Sequence, residues 1–484
     1  MTKRHDPEGS RLPIKLDSTS NGEVQPVALD KPAEHANQSA SELVSVVAKR
    51  LGRSRREFLV SLSGAAATLV GMNQGFADTG KRGGYYAVNE EAVYEHELAA
   101  ASLQGDEFIF DVQLHHVNPE GPWRGHFDMF ESLLKDWPQN NCGLEDKVAC
   151  YSGEHLVKEV FFDSDTDLAV LSMGPAMPDQ VTLTIDDAAQ TRALVKERTG
   201  EHRLLLHSQV NPNIPGHIEA MDRAAEEFPI CAWKTYTQFG PGGGYWLDDP
   251  AGIAMIEKAR SLGIKTICVH KGLPLGIMGH EYSTCADVGR VAKMFPDVTF
   301  IVYHSGHEPE GIEGPYDPSV NYSINTLINS LRDNNIGPNG NVYAELGSTW
   351  RFVMRDPDQS AHTIGKLLKY VGEDRLLWGT DCIWYGSPQD QIQAFRTFQI
   401  SEEFQEKYGY STITPEVRAK VFGLSAAKAY AINPDEIRKK SAMDALARER
   451  RLYREDPNPS FLTYGPKTRR EFLAFKRLEK AGLV

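Results

Sequence analysis

Three chemically active side chains follow short apolar segments in the second half of the chain. His270 follows Thr-Ile-Cys-Val, His304 follows Thr-Phe-Ile-Val-Tyr, and Asp381 follows Leu-Leu-Trp-Gly-Thr. Imidazole and carboxylate groups are ligands of catalytic zinc and similar divalent ions, which keep one position open for water. Water bound to such an ion ionises near neutral pH and can attack a carbonyl carbon. These residue types therefore indicate metal-assisted hydrolysis, with Asp381 as a candidate general acid and base.

An earlier apolar segment, residues 108–114, runs into the sequence Asp-Val-Gln-Leu-His-His at positions 111–116. His115 adds an imidazole to the candidate set. Gln113 adds an amide carbonyl, which is a weaker and harder ligand than imidazole, so a metal here is held less tightly, is a different ion or is absent. His116 could compensate only if the strand has already ended, because neighbouring residues of a strand point to opposite faces.

Eight short segments rich in β-branched and apolar residues alternate with helical stretches, which is typical of repeated βαβ units. The candidate strands are residues 108–114, 168–172, 204–210, 230–235, 266–270, 299–303, 342–345 and 376–379. We therefore predict an α/β protein with a (β/α)8 TIM barrel, whose active site lies at the carboxyl ends of the strands. A doubly wound open sheet is the competing architecture, but it normally carries a Gly-rich phosphate loop after its first strand, which this sequence lacks.

This set of residues resembles the amidohydrolase superfamily, and within it the branch that contains aminocarboxymuconate semialdehyde decarboxylase. The similarity covers residues from about 108 to about 432, and residues 421–430 are similar to the closing helix of the family. The family carries Asp-x-His-x-His on strand one, a histidine after strands five and six, and an aspartate after strand eight. The matching residues are His115, His270, His304 and Asp381.

The resemblance implies a divalent metal, one per chain and in the first place Zn²⁺, held by His115, His270 and Asp381 with Gln113 as a further ligand. It also implies that Asp381 and His304 are the catalytic residues that move protons. The chain departs from the family at Gln113, where the family has a histidine. This departure keeps a metal-free hydrolysis of lactones open.

Three further residues are candidates for substrate binding. Lys234 lies in the fourth predicted strand and could bind a substrate carboxylate, be carbamylated as in two-metal relatives, or lie on the surface. Arg351 follows the seventh strand and could hold a carboxylate through two parallel hydrogen bonds, or form a structural salt bridge. Trp384 lies shortly after Asp381 and is expected to form a wall of the pocket.

The leading hypothesis for function is hydrolysis of a small lactone, amide or similar carbonyl compound. Decarboxylation of a small unsaturated or aromatic acid is the second, because it uses nearly the same residues in the resembling branch. A noncatalytic periplasmic binding protein on a barrel scaffold is the third, prompted by Gln113. A net charge of −14, from 52 Lys and Arg against 66 Asp and Glu, argues against nucleic acid as a partner. The expected partner is a small-molecule substrate.

The first 77 residues are predicted to be a disordered leader with a twin-arginine export signal. The sequence Ser-Arg-Arg-Glu-Phe-Leu at 54–59 opens an apolar run, residues 58–72, that is shorter than the roughly 20 residues of a membrane span. It resembles a twin-arginine signal with cleavage near Ala77, which predicts contact with the twin-arginine machinery and a periplasmic or extracellular location. A buried N-terminal helix is the alternative. A similar hexamer at 468–473 has no apolar run after it.

Two further regions are predicted around the strands. Residues 78–435 form the barrel, with a long insertion between the first two strands, and residues 436–484 form a charged helical extension. This extension is expected to be a solvated helix or a contact surface in a homodimer. Cys142 and Cys150 could form a disulfide, whereas the other four cysteines are expected to be small buried hydrophobic residues. They are Cys231, Cys268, Cys285 and Cys382.

Overall fold

The structure is a computed structural model that describes residues 4–124, 142, 144–177, 180–199, 202–274 and 280–472. Part of the predicted insertion, residues 125–141 and 143, lies outside the described residues. The same holds for residues 473–484 of the predicted C-terminal extension. Among the described residues, none of the helices combines the length and the apolar composition that crossing a membrane requires.

The described strands are a flanking pair and a barrel. Strand β1 (Gly84–Tyr86) pairs antiparallel with β10 (Phe398–Ile400) outside the barrel. The barrel strands pair in chain order, all parallel, and are β2 (Phe110–Leu114), β3 (Leu168–Leu171), β4 (Leu204–Gln209), β5 (Ile230–Tyr236), β6 (Thr266–His270), β7 (Thr299–Tyr303), β8 (Val342–Glu345) and β9 (Leu376–Leu377). Each overlaps one of the eight predicted segments.

The barrel is closed between its first and last strands. Leu114 at the end of β2 forms a parallel bridge with Cys382, and the Val112 N–H donates to the Trp378 carbonyl at 3.1 Å. The predicted (β/α)8 TIM barrel is therefore confirmed, and the doubly wound open sheet is excluded. The strands read as continuous apolar runs because both of their faces are buried, which is expected for a parallel sheet covered by helices.

Helices follow the strands and cover the outside of the barrel. The helix Pro357–Tyr370 shows why they form where they do, because Asp356 caps its first turn, a proline occupies its first position and apolar residues repeat along one buried face. The other described helices of the barrel and its flanks are His96–Leu103, Gly153–Val157, Ile185–Thr199, Ala220–Glu227, Pro250–Ser261, His280–Ser283, Val288–Met294, Ile324–Asp333, Thr349–Val353, Gln389–Thr397, Glu402–Tyr408, Pro415–Ala419 and Ser425–Ala429.

The N-terminal region is folded, where the sequence analysis predicted a disordered leader. Residues 4–78, which we call the N-terminal layer, contain the helices α1 (Lys31–Arg50), α2 (Arg55–Leu59) and α3 (Leu62–Asp78). The apolar run of the predicted signal is therefore part of a helix pair, and most of α3 is buried. This arrangement matches the alternative of a buried N-terminal helix, while export of the protein stays a prediction.

Small residues let α1 and α3 approach closely. A Cβ atom added to Gly71 would lie 2.5 Å from the Ala40 Cα, and one added to Gly75 would lie 2.6 Å from the Ala36 Cα. Such contacts are too short for any side chain, so these glycines are required by the packing of the two helices. The alanine and glycine content that makes the run weakly hydrophobic thus has a structural cause.

Both copies of the repeated hexamer begin a helix in the same way. The Ser54 hydroxyl accepts from the Glu57 N–H, and the Glu57 carboxylate accepts from the Ser54 N–H at 3.0 Å. In the second copy the Thr468 hydroxyl accepts from the Glu471 N–H at 3.2 Å, and the Glu471 carboxylate accepts from the Thr468 N–H at 3.1 Å. These reciprocal bonds form a capping box, which accounts for the hydroxyl and the glutamate of both motifs.

The C-terminal extension packs on the barrel through its arginines. Its described helices are Pro434–Ser441 and Ala445–Tyr453. Arg450 and Arg454 each lie 2.9 Å from the Asp165 carboxylate, and Arg203 of the barrel pairs with Asp444 at 2.7 Å. The arginines therefore bind the charge of the barrel itself, which differs from a freely solvated helix.

The cysteines follow the predicted division. Cys142 and Cys150, whose pairing the sequence left open, form a disulfide. Cys268, Cys285 and Cys382 are buried and Cys231 is half-buried, in agreement with their expected packing role.

Candidate metal centre at the carboxyl ends of the strands

The predicted site residues at the strand ends come together in one buried cluster. His115 follows β2, His270 ends β6, His304 follows β7 and Asp381 follows β9. The His115 Nε2 lies 3.2 Å from the Asp381 Oδ1, and the rings of His270 and His304 have centroids 4.5 Å apart. All four side chains are buried, because the carboxyl ends of the parallel strands converge there.

His304 is held so that one ring nitrogen faces the cluster with its lone pair. Its Nδ1–H donates to the Gly347 carbonyl at 2.7 Å, and its backbone N–H donates to the Glu345 carboxylate at 3.0 Å. Burial, with the nearby His270, lowers the pKa of His304 to about 3, so the ring is neutral. A neutral ring with its proton on Nδ1 presents Nε2 as a ligand.

Backbone strain accompanies this arrangement. His304 has φ of 63°, Ser348 has φ of 56° and Asp381 has φ of 60°, all in the left-handed region that non-glycine residues rarely adopt. Each such residue costs about 1–3 kcal/mol and persists only where the surrounding structure enforces it. The strain aims the His304 and Asp381 side chains into the cluster, which points to a functional constraint.

His270 also has a partner on the side away from the cluster. Its Nδ1 lies 2.6 Å from the Gln238 Nε2, and the Gln238 Oε1, the other atom of that amide, has no hydrogen bond among the described residues. With that oxygen turned to the ring, the amide accepts the Nδ1 proton and leaves the Nε2 lone pair facing the cluster. Burial lowers the pKa of His270 well below its ordinary value, so this ring is neutral too.

Asp381 is ionised and strongly hydrogen-bonded. Burial would raise its pKa, but the hydrogen bond from His115 and the charges of His115 and His304 hold the pKa well below its ordinary range. Its Oδ2 accepts from the Ser348 hydroxyl and from the Asn21 Nδ2, the latter at 2.9 Å. An anionic carboxylate of this kind can bind a cation or accept a proton.

Gln113 lies among the other candidates. Its Nε2 is 3.3 Å from the His115 Nε2, 3.5 Å from the His304 Nε2 and 3.1 Å from the Asp381 Oδ1. Its Oε1 is buried and makes no hydrogen bond among the described residues. An unpaired buried oxygen costs about 1–3 kcal/mol. The amide nitrogen faces the cluster, so Gln113 would be a weak oxygen ligand only with its amide turned over.

One member of the cluster was missed by the sequence analysis. The Glu23 Oε1 lies 2.9 Å from the His270 Nε2, and ligand atoms of Glu23, His270 and His304 all lie within 4.8 Å of one another. Burial raises the pKa of Glu23, as does the charge of Asp381, whereas the charge of His304 lowers it. No local pattern identifies this residue, because it stands in a polar stretch without periodicity.

Glu345 was also missed, although it ends a predicted strand. Its carboxylate accepts from the backbone N–H groups of His304 at 3.0 Å and Gly347 at 2.5 Å. Burial raises its pKa to about 8. Glu345 therefore positions the backbone around His304. Its place at the carboxyl end of β8 was the signal that could have identified it.

Two predicted substrate ligands differ in their surroundings. Lys234 is buried, its Nζ lies 3.4 Å from the Tyr303 ring centroid, and it has no hydrogen bond among the described residues. Burial lowers its pKa to about 8. The alternative of a surface lysine is therefore wrong. Arg351 is buried and pairs with Asp17, which is the structural salt bridge that the sequence analysis left open.

Trp384 contacts His115, whereas His116 makes its contacts elsewhere. The Trp384 ring stacks beside His115, with centroids 6.3 Å apart and planes at 25°. His116 faces away, since its Nδ1–H donates to the Val117 carbonyl at 3.0 Å and its Nε2 lies 3.0 Å from the Thr191 hydroxyl. His116 therefore does not replace the missing histidine at Gln113, as the alternating direction of side chains predicts.

The cluster fits a divalent ion. His270 and His304 offer neutral nitrogen donors and Glu23 offers a carboxylate oxygen, all within 4.8 Å of one another, and such donors suit Zn²⁺ and related ions. The carboxylates bring negative charge into a buried space, and a bound cation would offset it. The hydrogen bonds to Gly347 and Gln238 fix the two imidazoles from behind, as is usual around metal-bound histidines.

Comparison with known proteins gives one family and a set of distant folds. A family model described as amidohydrolase matches residues 163–432, which is more than half of the chain. No curated protein matches. The chain is similar to the solved structure of 5-carboxyvanillate decarboxylase from Sphingomonas paucimobilis, at 13% identity and a TM-score of 0.43, covering 68% of this chain and 100% of that one.

Two other solved structures are similar to a comparable extent. An amidohydrolase from Burkholderia multivorans has 14% identity and a TM-score of 0.41, covering 67% of this chain and 100% of that one. Dihydroorotase from Campylobacter jejuni has 14% identity and a TM-score of 0.37, covering 68% of this chain and 84% of that one. Identities and TM-scores this low carry no information on the reaction.

Proposed function

The chain belongs to the amidohydrolase family, and from this premise we propose that it is a metal-dependent hydrolase of a small lactone, amide or similar carbonyl compound. The observation that carries the proposal is the buried convergence of His115, His270, His304 and Asp381 at the carboxyl end of the barrel. The family membership supports a barrel enzyme, and the donor set supports a divalent ion as its cofactor.

The residues that would hold the ion are His115, His270 and Asp381, and Gln113 would join them as a weak oxygen ligand once its amide is turned so that Oε1 replaces Nε2. When bound, the ion supplies a polarised carbonyl or an ionised water near neutral pH. The remaining steps are carried by the chain. The Asp381 carboxylate, held by Ser348, accepts the proton of the attacking water. His304 presents Nε2 to the same space as a second acceptor or donor.

Two other side chains would act on the substrate. Lys234 is a buried amine without a hydrogen-bonding partner among the described residues, and its lowered pKa of about 8 leaves a large part of it charged at neutral pH. It would donate to an oxygen of the substrate. The indole of Trp384 lies against His115 and would bound the pocket on that side. Both assignments would exclude bulk water from the reacting carbonyl.

Decarboxylation is the second candidate, and Lys234 is the observation that favours it. A buried cation with no carboxylate partner in the described part of the chain is suited to hold a substrate carboxylate. Arg351, which also supported this candidate in the sequence, is already paired with Asp17. Only one of the two cations thus remains as support.

The test combines metal content with product analysis. The protein is purified without chelators, and its metal is measured by elemental analysis beside His270→Ala and a surface control, His96→Ala. We expect one divalent ion per chain in the wild type and the control, and loss of the ion in His270→Ala. A folded wild type without any divalent ion would contradict the proposal.

Products then separate the two reactions. Lactones, amides and unsaturated or aromatic acids are offered to the metal-loaded protein. A ring-opened or cleaved acid supports hydrolysis, whereas release of carbon dioxide from a carboxylated substrate supports the second candidate. A ligand that binds tightly and is recovered unchanged would instead support a noncatalytic binding protein.

A further inference from the structure

The stretch of residues 14–27, which we call the N-terminal segment, crosses the carboxyl end of the barrel and contacts the cluster. Its Glu23 contacts His270 and its Asn21 contacts Asp381, at 2.9 Å in both cases. We propose that Glu23 is a ligand of the metal, so that the centre is completed by a residue from outside the barrel. This inference rests on the proposed function, because it presumes that the barrel residues bind a metal.

The imidazole lone pairs of His304 and His270 can both be directed into the cluster, where Glu23 lies. His304 uses its Nδ1 proton on Gly347, so its Nε2 points into the cluster unprotonated. His270 is arranged in the same way when the Gln238 amide is turned over, so that Oε1 in place of Nε2 accepts its Nδ1 proton. The Glu23 carboxylate then faces a lone pair at 2.9 Å, an arrangement that a cation between the two groups stabilises. Two tetrahedral ligands of one zinc ion, each about 2.0–2.2 Å from it, stand about 3.3–3.6 Å apart, so Glu23 and His270 would separate by roughly half an ångström to bind it.

Hydrogen bonds within the N-terminal segment hold Glu23 in position. The Asn21 Nδ2 donates both to the Glu23 carboxylate at 2.6 Å and to the Asp381 carboxylate at 2.9 Å, and so links the two anions. The Ser20 hydroxyl donates to the Val24 carbonyl at 2.5 Å, and the Gly22 N–H donates to that hydroxyl at 2.9 Å. These bonds close a tight turn that directs Glu23 toward the strand ends.

The N-terminal segment is bound to the rest of the protein on both sides of the turn. Asp17 pairs with the buried Arg351 and with Lys467, the latter at 2.6 Å. Lys15 lies 3.4 Å from the buried Asp390. After the turn, Val24 is buried against Leu273, Phe352 and Tyr385. Burying an ion pair costs desolvation energy, so such pairs are not expected in a segment that only covers the surface of the barrel. Their presence indicates that the position of this segment is specified.

The negative charge of Glu23 complements a weak ligand position on the first barrel strand. The position where a histidine is expected on the first barrel strand carries the neutral amide of Gln113. An amide oxygen binds a divalent ion more weakly than an imidazole or a carboxylate. Glu23 brings an anionic oxygen into the same cluster, and it therefore compensates for the weak ligand. Gln113 and the N-terminal segment are therefore linked, because Glu23 supplies the strong ligand that Gln113 does not.

The experiment measures metal affinity in the full-length chain. Zn²⁺ is titrated against a competing chelator for the wild type, Glu23→Gln, Glu23→Asp and the control Glu42→Gln, which removes an exposed charge from α1. Loss of residues that only support ligands weakens metal affinity by about 10–100-fold, so loss of a ligand should weaken it by roughly 100-fold or more. We expect this loss in Glu23→Gln, a smaller loss in Glu23→Asp, and no change in Glu42→Gln.

A second measurement reports the ligand itself. The wild type and Glu23→Gln are loaded with Co²⁺, and the visible absorption of the ion is compared, since this spectrum depends on the number and type of ligands. A shifted spectrum in Glu23→Gln supports ligation, even at a concentration where both proteins are saturated. An identical spectrum with equal Zn²⁺ affinity would overturn the inference and identify Glu23 as an occupant that blocks the site.

The two proposals fail in different ways. If the wild type holds no divalent ion, the proposed function fails and this inference fails with it. If the wild type holds the ion and Glu23→Gln holds it equally well, only this inference fails. Thermal unfolding of each apoprotein shows whether a variant has lost the fold. Should Glu23→Gln not fold, the Co²⁺ spectrum of Glu23→Asp decides alone.

Discussion

The strand ends of the barrel and the N-terminal segment supply residues to the same cluster by different physical means. The ends of β6, β7 and β9 deliver His270, His304 and Asp381 because parallel strands of one barrel converge at one face. The N-terminal segment delivers Glu23 through a turn that is held by pairs such as Asp17–Arg351. The first route is visible in the sequence as a repeated pattern, whereas the second depends on contacts between distant residues.

The difference teaches that a stretch of low regularity can still be part of a site. The N-terminal layer was predicted to be a leader because it is polar before Leu51 and weakly apolar after it. In the fold, its glycines and alanines serve a close helix contact and its charges pair with buried partners. The predictions below test whether this layer is as much a part of the enzyme as the barrel is.

The largest effect on activity is expected from removal of the whole N-terminal layer. Because Glu23 contacts the cluster, we expect the active chain to keep residues 1–77, so its N-terminus is not removed at Ala77. Intact-mass measurement and N-terminal sequencing of protein from its natural cell check this. An active protein that begins near Asp78 would support the export signal and break the comparison.

Substitution of Asp381 should cause the largest loss among single variants. Asp381→Asn keeps the size of the side chain but removes the charge that contacts His115. We expect kcat to fall by about 10²–10⁴-fold, which is the usual contribution of a general acid or base. The measurement is steady-state kinetics on the metal-loaded protein, with Asp317→Asn, an exposed carboxylate, as the control. Full turnover in Asp381→Asn would show that the barrel cluster is not the active site.

The ion pair that holds the N-terminal segment should have the next effect. Partial burial would raise the pKa of Asp17, but the charges of Arg351 and Lys467 outweigh it and lower the pKa to about 2. The pair therefore stabilises the folded state fully above the ordinary pKa of about 4 and loses this effect as the pH falls from about 4 toward 2.

Asp17→Asn should release the segment at neutral pH. It leaves Arg351 buried without its carboxylate, which we expect to cost about 3 kcal/mol or less, because Asp17 is partly exposed. Hydrogen exchange of residues 14–27 should become faster, while β6 and β7 stay protected. Unchanged protection of residues 14–27 would show that the pair does not hold the segment.

The contact between α1 and α3 should be sensitive to a single methyl group. Gly71→Ala places a Cβ atom against Ala40, whereas a Cβ atom at Gly174 meets nothing within 4 Å. We expect Gly71→Ala to lower the free energy of unfolding by about 1–3 kcal/mol, the usual cost of overpacking. Gly174→Ala should be near neutral. Chemical denaturation of both variants checks the difference, and equal stability would indicate that α3 is not packed as described.

The smallest expected effect is at the wall of the site. Trp384→Phe removes part of the ring that lies beside His115 and Tyr151. Contacts between aromatic rings contribute about 0.5–1.5 kcal/mol, so we expect KM to rise by less than about tenfold with kcat nearly unchanged. A large fall in kcat instead would give Trp384 a role in the reaction itself.

The barrel could be predicted because its signals are local and repeated. Each barrel strand is a short segment of two to seven residues followed by helical structure, and eight repeats of this unit leave few other folds. The same regularity located His270, His304 and Asp381, since residues at the carboxyl ends of barrel strands all lie at one face of the barrel. Boundaries were less well predicted, as the short β9 (Leu376–Leu377) shows.

The sequence by itself determined the barrel and the strand-end residues, because these follow from a repeated pattern of short segments. Only the tertiary structure decided that Glu23 and Asn21 meet His270 and Asp381, that Arg351 binds Asp17, and that Lys234 is buried. Pairings between residues hundreds of positions apart leave no periodic signal. They arise when the N-terminal layer packs on the barrel, and packing depends on the shape of both partners.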